Sequence, residues 1–295
     1  MTVNYVTTPE VVFDAPCEIG EGPLWHEDEQ TLYWVDISAG RVYRYDPASG
    51  ENAVAYQHDA MVGGFTIQAN GSLLLFCSRG AILHLRKGKA TPVIDEIPAE
   101  RDGRFNDVIA DPEGRVFCGT MPNRKGVARL YRLDPDSTLT EVYPDIGLSN
   151  GMGFSPDLQT FYHTDTGHRC IYRMDYDRAT GELANRSVLL RTPADEGGPD
   201  GMAVAADGTI WSARWGGRAL FHYDAAGELL GAVPFPVLKV SSVTFGGPDV
   251  TTAYVTTACG EGGGRNDDEG HLAGSLFRVD LGAQGTAPFR SRIGI

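Results

Sequence analysis

The fold is decided by a unit that recurs along the chain, and its clearest copy reads DGMAVAADGTIWSARWGGRALFHYD (200–224). This unit has a short run of small and apolar residues, a turn at Asp207-Gly208, an aromatic strand and a further strand that ends in Asp224. Short runs rich in aromatic and β-branched residues, separated by such turns, are typical of β-strands. The unit therefore predicts consecutive antiparallel strands.

Equivalent turns occur six times in the 295 residues. Their central residues are Asp28, Asn70, Glu113, Asp157, Asp207 and Asp249, which are 42 to 50 residues apart. Units of this length with about four strands each are typical of a β-propeller. We therefore predict an all-β fold with a single domain over residues 1–295, a six-bladed β-propeller with four-stranded antiparallel blades around a central channel. One terminus should supply the outer strand of the last blade, and the sequence leaves open which one.

Composition limits the classes of partner. Acidic residues outnumber basic ones by 39 to 25, giving a formal charge of −14, and the basic residues are scattered along the chain. Nucleic acids and anionic membrane surfaces are therefore not expected as partners. No apolar run approaches the ~18 residues of a membrane span, and the N-terminus lacks the features of a secretory signal. Five cysteines without a C-x-x-C pair fit reduced thiols, so we predict a cytoplasmic protein. The oligomeric state is left open.

The repeat also aligns six positions at one end of the predicted channel. Seven residues before each turn residue stand Glu21, Gly63, Asn106, Asn150, Asp200 and Ser242. Because the first strand of each blade lines the channel, these residues should form a ring at its mouth. Buried polar oxygens need partners, and carboxylates together with amide oxygens suit a hard divalent cation such as Ca²⁺, Mg²⁺ or Mn²⁺. The alternative is that Asn150-Gly and Asp200-Gly are ordinary turn dipeptides.

A carboxylate beside such a cation can also act in acid–base catalysis. Asp200 is the predicted general base, with a metal-activated water as the open alternative. Arg104 stands two residues before a ring position, and its planar guanidinium suits a substrate carbonyl or hydroxyl. Asp165 is a candidate supporting residue, and the Gly-rich insertion at 260–270 is a candidate lid over the same face.

Six short motifs follow one another in order along the chain. They are Glu21-Gly-Pro-Leu-Trp25, Arg104-Phe-Asn-Asp107, Gly119-Thr-Met121, Ser149-Asn-Gly151, Pro199-Asp-Gly201 and Phe245-Gly-Gly-Pro-Asp249. Together they resemble the motifs of the senescence marker protein / gluconolactonase / luciferin-regenerating enzyme family, which includes regucalcin and bacterial sugar lactonases. The resemblance extends over nearly the whole chain.

This resemblance implies a propeller that holds one divalent ion and hydrolyses sugar lactones to aldonic acids. By motif, the metal ligands fall on Glu21, Asn150 and Asp200, and the substrate-contacting residues fall on Arg104 and Asn106. Ca²⁺ is the expected ion, with Zn²⁺, Mn²⁺, Mg²⁺ and Fe²⁺ as alternatives. The expected partner is a small lactone.

One departure from the family pattern concerns substrate choice. Sugar-lactonase relatives often carry an acidic residue shortly after Gly-Thr-Met, whereas Pro122-Asn-Arg-Lys125 follows here. Two alternatives to sugar lactone hydrolysis therefore stay open. One is hydrolysis of a non-sugar lactone or ester on the same propeller, and the other is a calcium-binding propeller without catalysis.

Overall fold

The computed structural model describes residues 3–5, 7–260, 262 and 264–295, and β-strands account for nearly all of its regular structure. Two strands precede the first complete blade: β1 (Val3–Asn4) and β2 (Glu10–Phe13). The first blade contains β3 (Gly20–His26), β4 (Thr31–Asp36), β5 (Arg41–Asp46) and β6 (Glu51–Gln57). The second contains β7 (Val62–Ile67), β8 (Leu73–Cys77), β9 (Ile82–Arg86) and β10 (Lys89–Ile94).

The remaining blades follow the same order along the chain. The third contains β11 (Phe105–Ala110), β12 (Val116–Thr120), β13 (Ala128–Leu133) and β14 (Leu139–Ile146). The fourth contains β15 (Ser149–Phe154), β16 (Thr160–Asp165), β17 (Cys170–Asp177) and β18 (Glu182–Arg191). The fifth contains β19 (Gly198–Val204), β20 (Ile210–Trp215), β21 (Ala219–Tyr223) and β22 (Leu229–Pro234). The sixth contains β23 (Lys239–Gly246), β24 (Thr252–Ala258) and β25 (Leu276–Asp280).

The N-terminal segment closes the ring of blades. Strand β2 pairs antiparallel with β25, with Glu10 opposite Arg278, and so becomes the fourth strand of the sixth blade. The first strands of consecutive blades are neighbours in space, and β23 of the sixth blade lies beside β3 of the first. A six-bladed propeller of antiparallel sheets is therefore confirmed. In addition, β1 pairs parallel with β22 at the outer edge of the fifth blade.

The hydrophobic core lies between the blades. Six clusters of buried side chains each join two neighbouring blades, as where Phe76 of the second blade packs edge-on against Phe105 of the third. At the closure, Trp25 of the first blade stacks on Tyr254 of the sixth, with ring planes 5° apart. Burial of these large side chains stabilises the interfaces between blades and so fixes how their first strands meet at the axis.

The C-terminal segment, residues 281–295, crosses the end of the channel where the first strand of each blade turns into the second. It contacts this turn region of all six blades. The contacts are Gly285 N with Val250 O, Gln284 O with Ala206 N, Phe289 with Phe154, Arg290 with Asp28, Ser291 with Gln68 and Arg292 N with Gly114 O. One end of the channel is therefore covered by this segment, and the polar mouth lies at the other end.

Helical structure is limited, within the described residues, to two 3₁₀ turns, Pro98–Glu100 and Ala194–Glu196. Across the same residues no helix has the length and apolarity of a membrane span. The five cysteines are buried free thiols. In the insertion predicted as a lid, residues 261 and 263 lie outside the described residues. Arg265, further along it, donates to the carbonyl oxygens of Ala273 and Ala15 and so ties the insertion to the N-terminal segment.

Candidate functional site

The first strand of every blade is interrupted by a register shift at its mouth end. The shifts lie between Glu21 and Leu24, Val62 and Gly64, Phe105 and Val108, Ser149 and Met152, Pro199 and Met202, and Val240 and Ser242. A bulge frees residues from the ladder and turns consecutive side chains away from strict alternation. The six bulges therefore determine which side chains face the channel.

A chain of hydrogen bonds joins the third and fourth blades at the mouth. Arg104 Nη1 donates to Asn106 Oδ1 (2.6 Å), and Asn106 Nδ2 donates to the Ser149 carbonyl oxygen (2.8 Å) and to Asn150 Oδ1 (3.2 Å). Asn150 Nδ2 donates in turn to Thr166 Oγ1 (3.0 Å). Three of the predicted site residues, Arg104, Asn106 and Asn150, are therefore in direct contact.

Two buried carboxyl groups complete the predicted set. Glu21 is 5 % exposed and Asp200 is 3 % exposed. Burial raises the pKa of Glu21 well above its ordinary value, and the charges of Asp200 and Asp107 raise it further. Burial likewise raises the pKa of Asp200, the charge of Asp107 adds to this, and the adjacent Asn150 amide opposes it. The five predicted residues thus meet at the mouth, although they come from four blades.

At the predicted ring positions the second blade has no side chain, and the side chain of the sixth blade lines the cavity below the mouth. A side chain at Gly63 would place its Cβ 2.0 Å from the Phe105 carbonyl oxygen, so the bulge of the third blade excludes one there. Ser242 lines the channel below the mouth. Ser241 falls inside the register shift instead, and its Oγ donates to the Gly20 carbonyl oxygen (2.5 Å).

Asp107 also belongs to this cluster, and the self-alignment of the repeat did not assign it. It lies in the same bulge as Asn106 and lines a channel cavity of about 380 Å³, together with Gly22 and Gly151. Pro288 and Phe289 of the C-terminal segment line the same cavity. Burial raises the pKa of Asp107 to about 7, and the positive charge of Arg104 opposes the shift. The signal in the sequence was the Arg104–Asp107 motif, in which a carboxylate directly follows a ring position.

Asp165, the predicted supporting residue, holds the backbone that precedes Asn150. Its fully buried carboxylate accepts hydrogen bonds from the backbone N–H groups of Gly147, Leu148 and His168 and from His168 Nδ1 (2.7 Å). A carboxylate that accepts four hydrogen bonds fixes the loop that carries it. Asp165 therefore positions the entry to β15 and does not face the channel axis.

His163 forms a second support below the Asn106–Asn150 pair. Its Nδ1 is hydrogen bonded to Tyr143 Oη (2.8 Å) and its Nε2 to Ser149 Oγ (2.8 Å). Burial lowers the pKa of His163 to about 4, so the ring is neutral at neutral pH. Because the Ser149 carbonyl also accepts from Asn106, this chain stabilises the orientation of the Asn106 amide.

The loop after Met121, where the sequence departs from the family pattern, closes on itself. Asn123 Oδ1 accepts from the backbone N–H groups of Lys125 (2.9 Å) and Val127 (3.3 Å), and its Nδ2 donates to the Ala99 carbonyl oxygen (3.3 Å). This segment therefore presents no carboxylate at the mouth, as its sequence indicates.

The charges of the cluster do not balance. Glu21, Asp107 and Asp200 carry three negative charges when ionised. Arg104 carries one positive charge, and the buried Arg214, whose charge lowers the pKa of Asp200, carries a second, which leaves −1. Burial lowers the pKa of Arg104 to about 10, so it is protonated at neutral pH. Among the described residues no three His, Cys, Asp or Glu side chains form a metal-binding group, so an ion here would also need an amide oxygen such as that of Asn150. Donor type and charge both fit a hard divalent cation.

Comparisons with known proteins extend over nearly the whole chain. Residues 19–259 match the model of the SMP-30/Gluconolactonase/LRE-like region. The chain is 46% identical to a pentonolactonase of Haloferax volcanii over 96% of this chain and 97% of that protein. It is 31% identical to a 6-deoxy-6-sulfogluconolactonase of Pseudomonas putida over 95% and 97% of the two chains. The crystal structure of a calcium-binding regucalcin of Agrobacterium tumefaciens is similar, with a TM-score of 0.89, 26% identity and coverage of 97% and 98%.

Proposed function

The chain belongs to the SMP-30/gluconolactonase/LRE-like family, and on that premise we propose that it hydrolyses small sugar lactones to aldonic acids with a divalent metal ion. The similarity to a pentonolactonase over almost the whole of both chains supports the lactone as the substrate class. The similarity to a calcium-binding regucalcin supports a divalent ion, with Ca²⁺ as the first candidate.

One observation carries the proposal. Glu21, Asn150 and Asp200 come from three different blades, and their oxygens lie in one buried cluster that holds more carboxyl groups than guanidinium groups. Burying uncompensated charges is costly, so a protein retains them where a ligand compensates them. We assign these three side chains as the metal ligands, and the Asn150 amide keeps the number of ligand charges at two.

When bound, the divalent ion supplies Lewis acidity toward the lactone carbonyl. Asp200 is then the general base, which removes a proton from the attacking water as the water oxygen bonds to the carbonyl carbon. The ring C–O bond breaks, and the departing alkoxide oxygen takes the proton that Asp200 removed from the water, which gives the hydroxyl group of the aldonic acid and regenerates the base. The other proton of the water stays on the new carboxyl group and is released as acid. The buried setting of Asp200 excludes bulk water, which strengthens its interaction with the reacting atoms.

Arg104 and Asn106 are assigned to the substrate. Arg104 uses Nη1 to hold Asn106 Oδ1 and the Phe105 carbonyl oxygen, which leaves Nη2 and Nε for a carbonyl or hydroxyl oxygen of the lactone. The Asn106 amide is in turn fixed by its bonds to the fourth blade. A pre-oriented guanidinium of this kind favours binding of one lactone orientation.

The experiment is a panel of aldonolactones and simple non-sugar lactones and esters, assayed by acid release with a pH indicator. Each substrate is measured with the protein as purified, after chelation, and after return of Ca²⁺, Mn²⁺, Zn²⁺ or Mg²⁺. We expect turnover of aldonolactones that is lost on chelation and restored by at least one of these ions.

Each other outcome removes part of the proposal. Turnover confined to the non-sugar lactones or esters would replace the substrate class, for which the loop at 122–127 without a carboxylate would give a reason. Undiminished turnover after chelation would show that the reaction does not need a metal ion. Tight metal binding without turnover of any substrate would make the chain a binding protein.

A further inference from the structure

The bulge in β11 brings two consecutive side chains to the channel. On one side of it Phe105 pairs with Thr120, and on the other side Val108 pairs with Cys118, so Asn106 and Asp107 together oppose Gly119. In a regular strand these two side chains would point to opposite faces. Here Asn106 reaches Asn150, and Asp107 lines the cavity below.

Most other blades have no side chain at the level of Asp107. In the aligned first strands, the position one residue past the ring is Gly22, Gly64, Asp107, Gly151, Gly201 and Val243. A Cβ at Gly151 would lie 2.5 Å from the Met202 nitrogen, and one at Gly201 would lie 2.2 Å from Ser242 Oγ. Because four of the six blades have no side chain at this level, the Asp107 carboxylate is the acidic group placed there.

The Asp107 charge acts on both acidic ring residues. It is the leading charged contributor to the raised pKa of Asp200, and it also raises the pKa of Glu21. Arg104 opposes the charge of Asp107, but its Nη1 is hydrogen bonded to Asn106 and Phe105. Among the described residues, Asp107 therefore has no ion-pair partner of the kind that Asp111 has in Arg115.

We propose that Asp107 sets the charge of the metal site from below the ring, without donating an oxygen to the ion, and thereby strengthens the binding of a divalent cation. The inference rests on the metal of the proposed function. With Asp107 ionised, the cluster holds three carboxylates against the guanidinium groups of Arg104 and Arg214, and a divalent ion compensates the excess negative charge. Without the Asp107 charge, carboxylates and guanidinium groups are equal in number. Asp107 thus acts on the ion through its charge and not as a ligand, since it lies below the ring that holds Glu21, Asn150 and Asp200.

The test compares the metal-free full-length protein with the variants Asp107→Asn and Asp111→Asn. Asp111 is a matched control because it is a buried aspartate of the same blade, ion-paired with Arg115 through Oδ2 (2.6 Å). Binding of Ca²⁺ and Mn²⁺ is measured by isothermal titration calorimetry at pH 8, and the thermal midpoint of each metal-free protein by circular dichroism.

For Asp107→Asn we expect metal affinity at least ~10-fold weaker, since one full charge close to a dication is removed. We also expect a metal-free midpoint equal to or above that of the wild type, because repulsion within the cluster is relieved. Asp111→Asn should have the opposite pair of results, with a lower midpoint and an affinity within about two-fold of wild type.

Two results would overturn the inference alone: Asp107→Asn binding metal within about two-fold of wild type, or a fall in its metal-free midpoint as large as that of Asp111→Asn. In the first case the charge has no role in binding, and in the second the residue is structural. If the wild-type protein binds neither ion, the metal dependence in the proposed function is wrong, and this inference is wrong with it.

Discussion

Two aspartates near opposite ends of strand β11 have opposite surroundings. Asp111 follows the strand directly, and its Oδ1 accepts from the backbone N–H groups of Glu113 and Arg115 while its Oδ2 accepts from Arg115 Nε and Tyr176 Oη. Asp107 faces the channel cavity, its charge raises the pKa values of Glu21 and Asp200 from two other blades, and the positive charge of Arg104 opposes the shift of its own pKa. The Asp111 carboxylate has its hydrogen-bond and ion-pair partners within the fold, whereas the Asp107 carboxylate is available to a bound ligand. Buried charge marks a site only where the protein itself does not compensate it.

The same contrast separates the two ends of the channel. At the far end, residues 281–295 contact the turns of all six blades through backbone hydrogen bonds, an ion pair and aromatic packing. At the mouth, the first strands are bulged, and their polar side chains converge on the axis. A substrate is therefore expected to enter and leave through the mouth.

The largest effect at the mouth is expected for Asp200→Asn. The substitution keeps the size of the side chain but removes the proposed general base and one metal ligand, so we expect turnover of aldonolactones to fall at least ~10³-fold. Circular dichroism and the metal-free thermal midpoint should be unchanged or improved, because a raised-pKa carboxylate is removed. Retention of more than about a tenth of wild-type turnover would exclude Asp200 from the base role.

Asp111→Asn tests the end of β11 at which the carboxylate has its partners within the fold. The change leaves the guanidinium of Arg115, itself 7% exposed, without its carboxylate. Breaking one side of a buried ion pair costs about 3–5 kcal/mol, so the free energy of unfolding in urea should fall by that order. Turnover measured well below the unfolding transition should remain within about two-fold of wild type. A variant as stable as wild type would mean that Asp111 does not stabilise the fold.

Arg104→Ala should affect binding more than chemistry. Loss of the guanidinium removes the proposed contact with the lactone and the hydrogen bond to Asn106 Oδ1, so KM should rise about 10-fold or more with a smaller change in kcat. The matched control is Arg101→Ala, an exposed arginine three residues earlier that pairs with Glu96. Its KM should stay within about two-fold of wild type. An unchanged KM in Arg104→Ala would place Arg104 outside the pocket.

Much of this fold could be predicted from the sequence because each repeat unit folds into a blade of the same geometry. The turns from Asp28 to Asp249 define six equivalent units, and counting back from them leads to six ring positions. Among these the family resemblance selected Glu21, Asn150 and Asp200, which the structure brings together. The assignment of these residues as metal ligands stays a prediction, since it depends on an ion and not on the fold.

What could not be predicted depends on local irregularity or on long-range packing. Strict alternation would turn Asp107 away from the axis, and a bulge cannot be located from a pattern of period two. The N-terminal segment closes the ring of blades because β2 pairs with β25, which lies about 265 residues later in the chain. Residues 281–295 have no strand periodicity, so their path across the six turns follows from packing alone.

The smallest effect expected is the pH dependence of the metal-free protein. A carboxyl group with a raised pKa stabilises the fold below its unfolded pKa, and this stability is lost as the pH rises through the folded value, which for Asp107 is about 7. His163, with a pKa lowered to about 4, acts in the opposite sense, because its contribution is lost only as the pH falls below ~6.5.

Between pH 6.5 and 8 the carboxyl effect therefore acts without opposition from His163. Asp107 alone should lower the free energy of unfolding by roughly 1 kcal/mol over this window, which corresponds to a fall of about 2–4 °C in the metal-free thermal midpoint. The raised pKa values of Glu21 and Asp200 add to this fall. A saturating divalent ion should abolish the fall, and Asp107→Asn should reduce it, while Asp111→Asn should keep it. If the midpoint of the metal-free wild type instead rises from pH 6.5 to 8, the carboxylates at the mouth are compensated within the fold, and the contrast between the two ends of β11 does not exist.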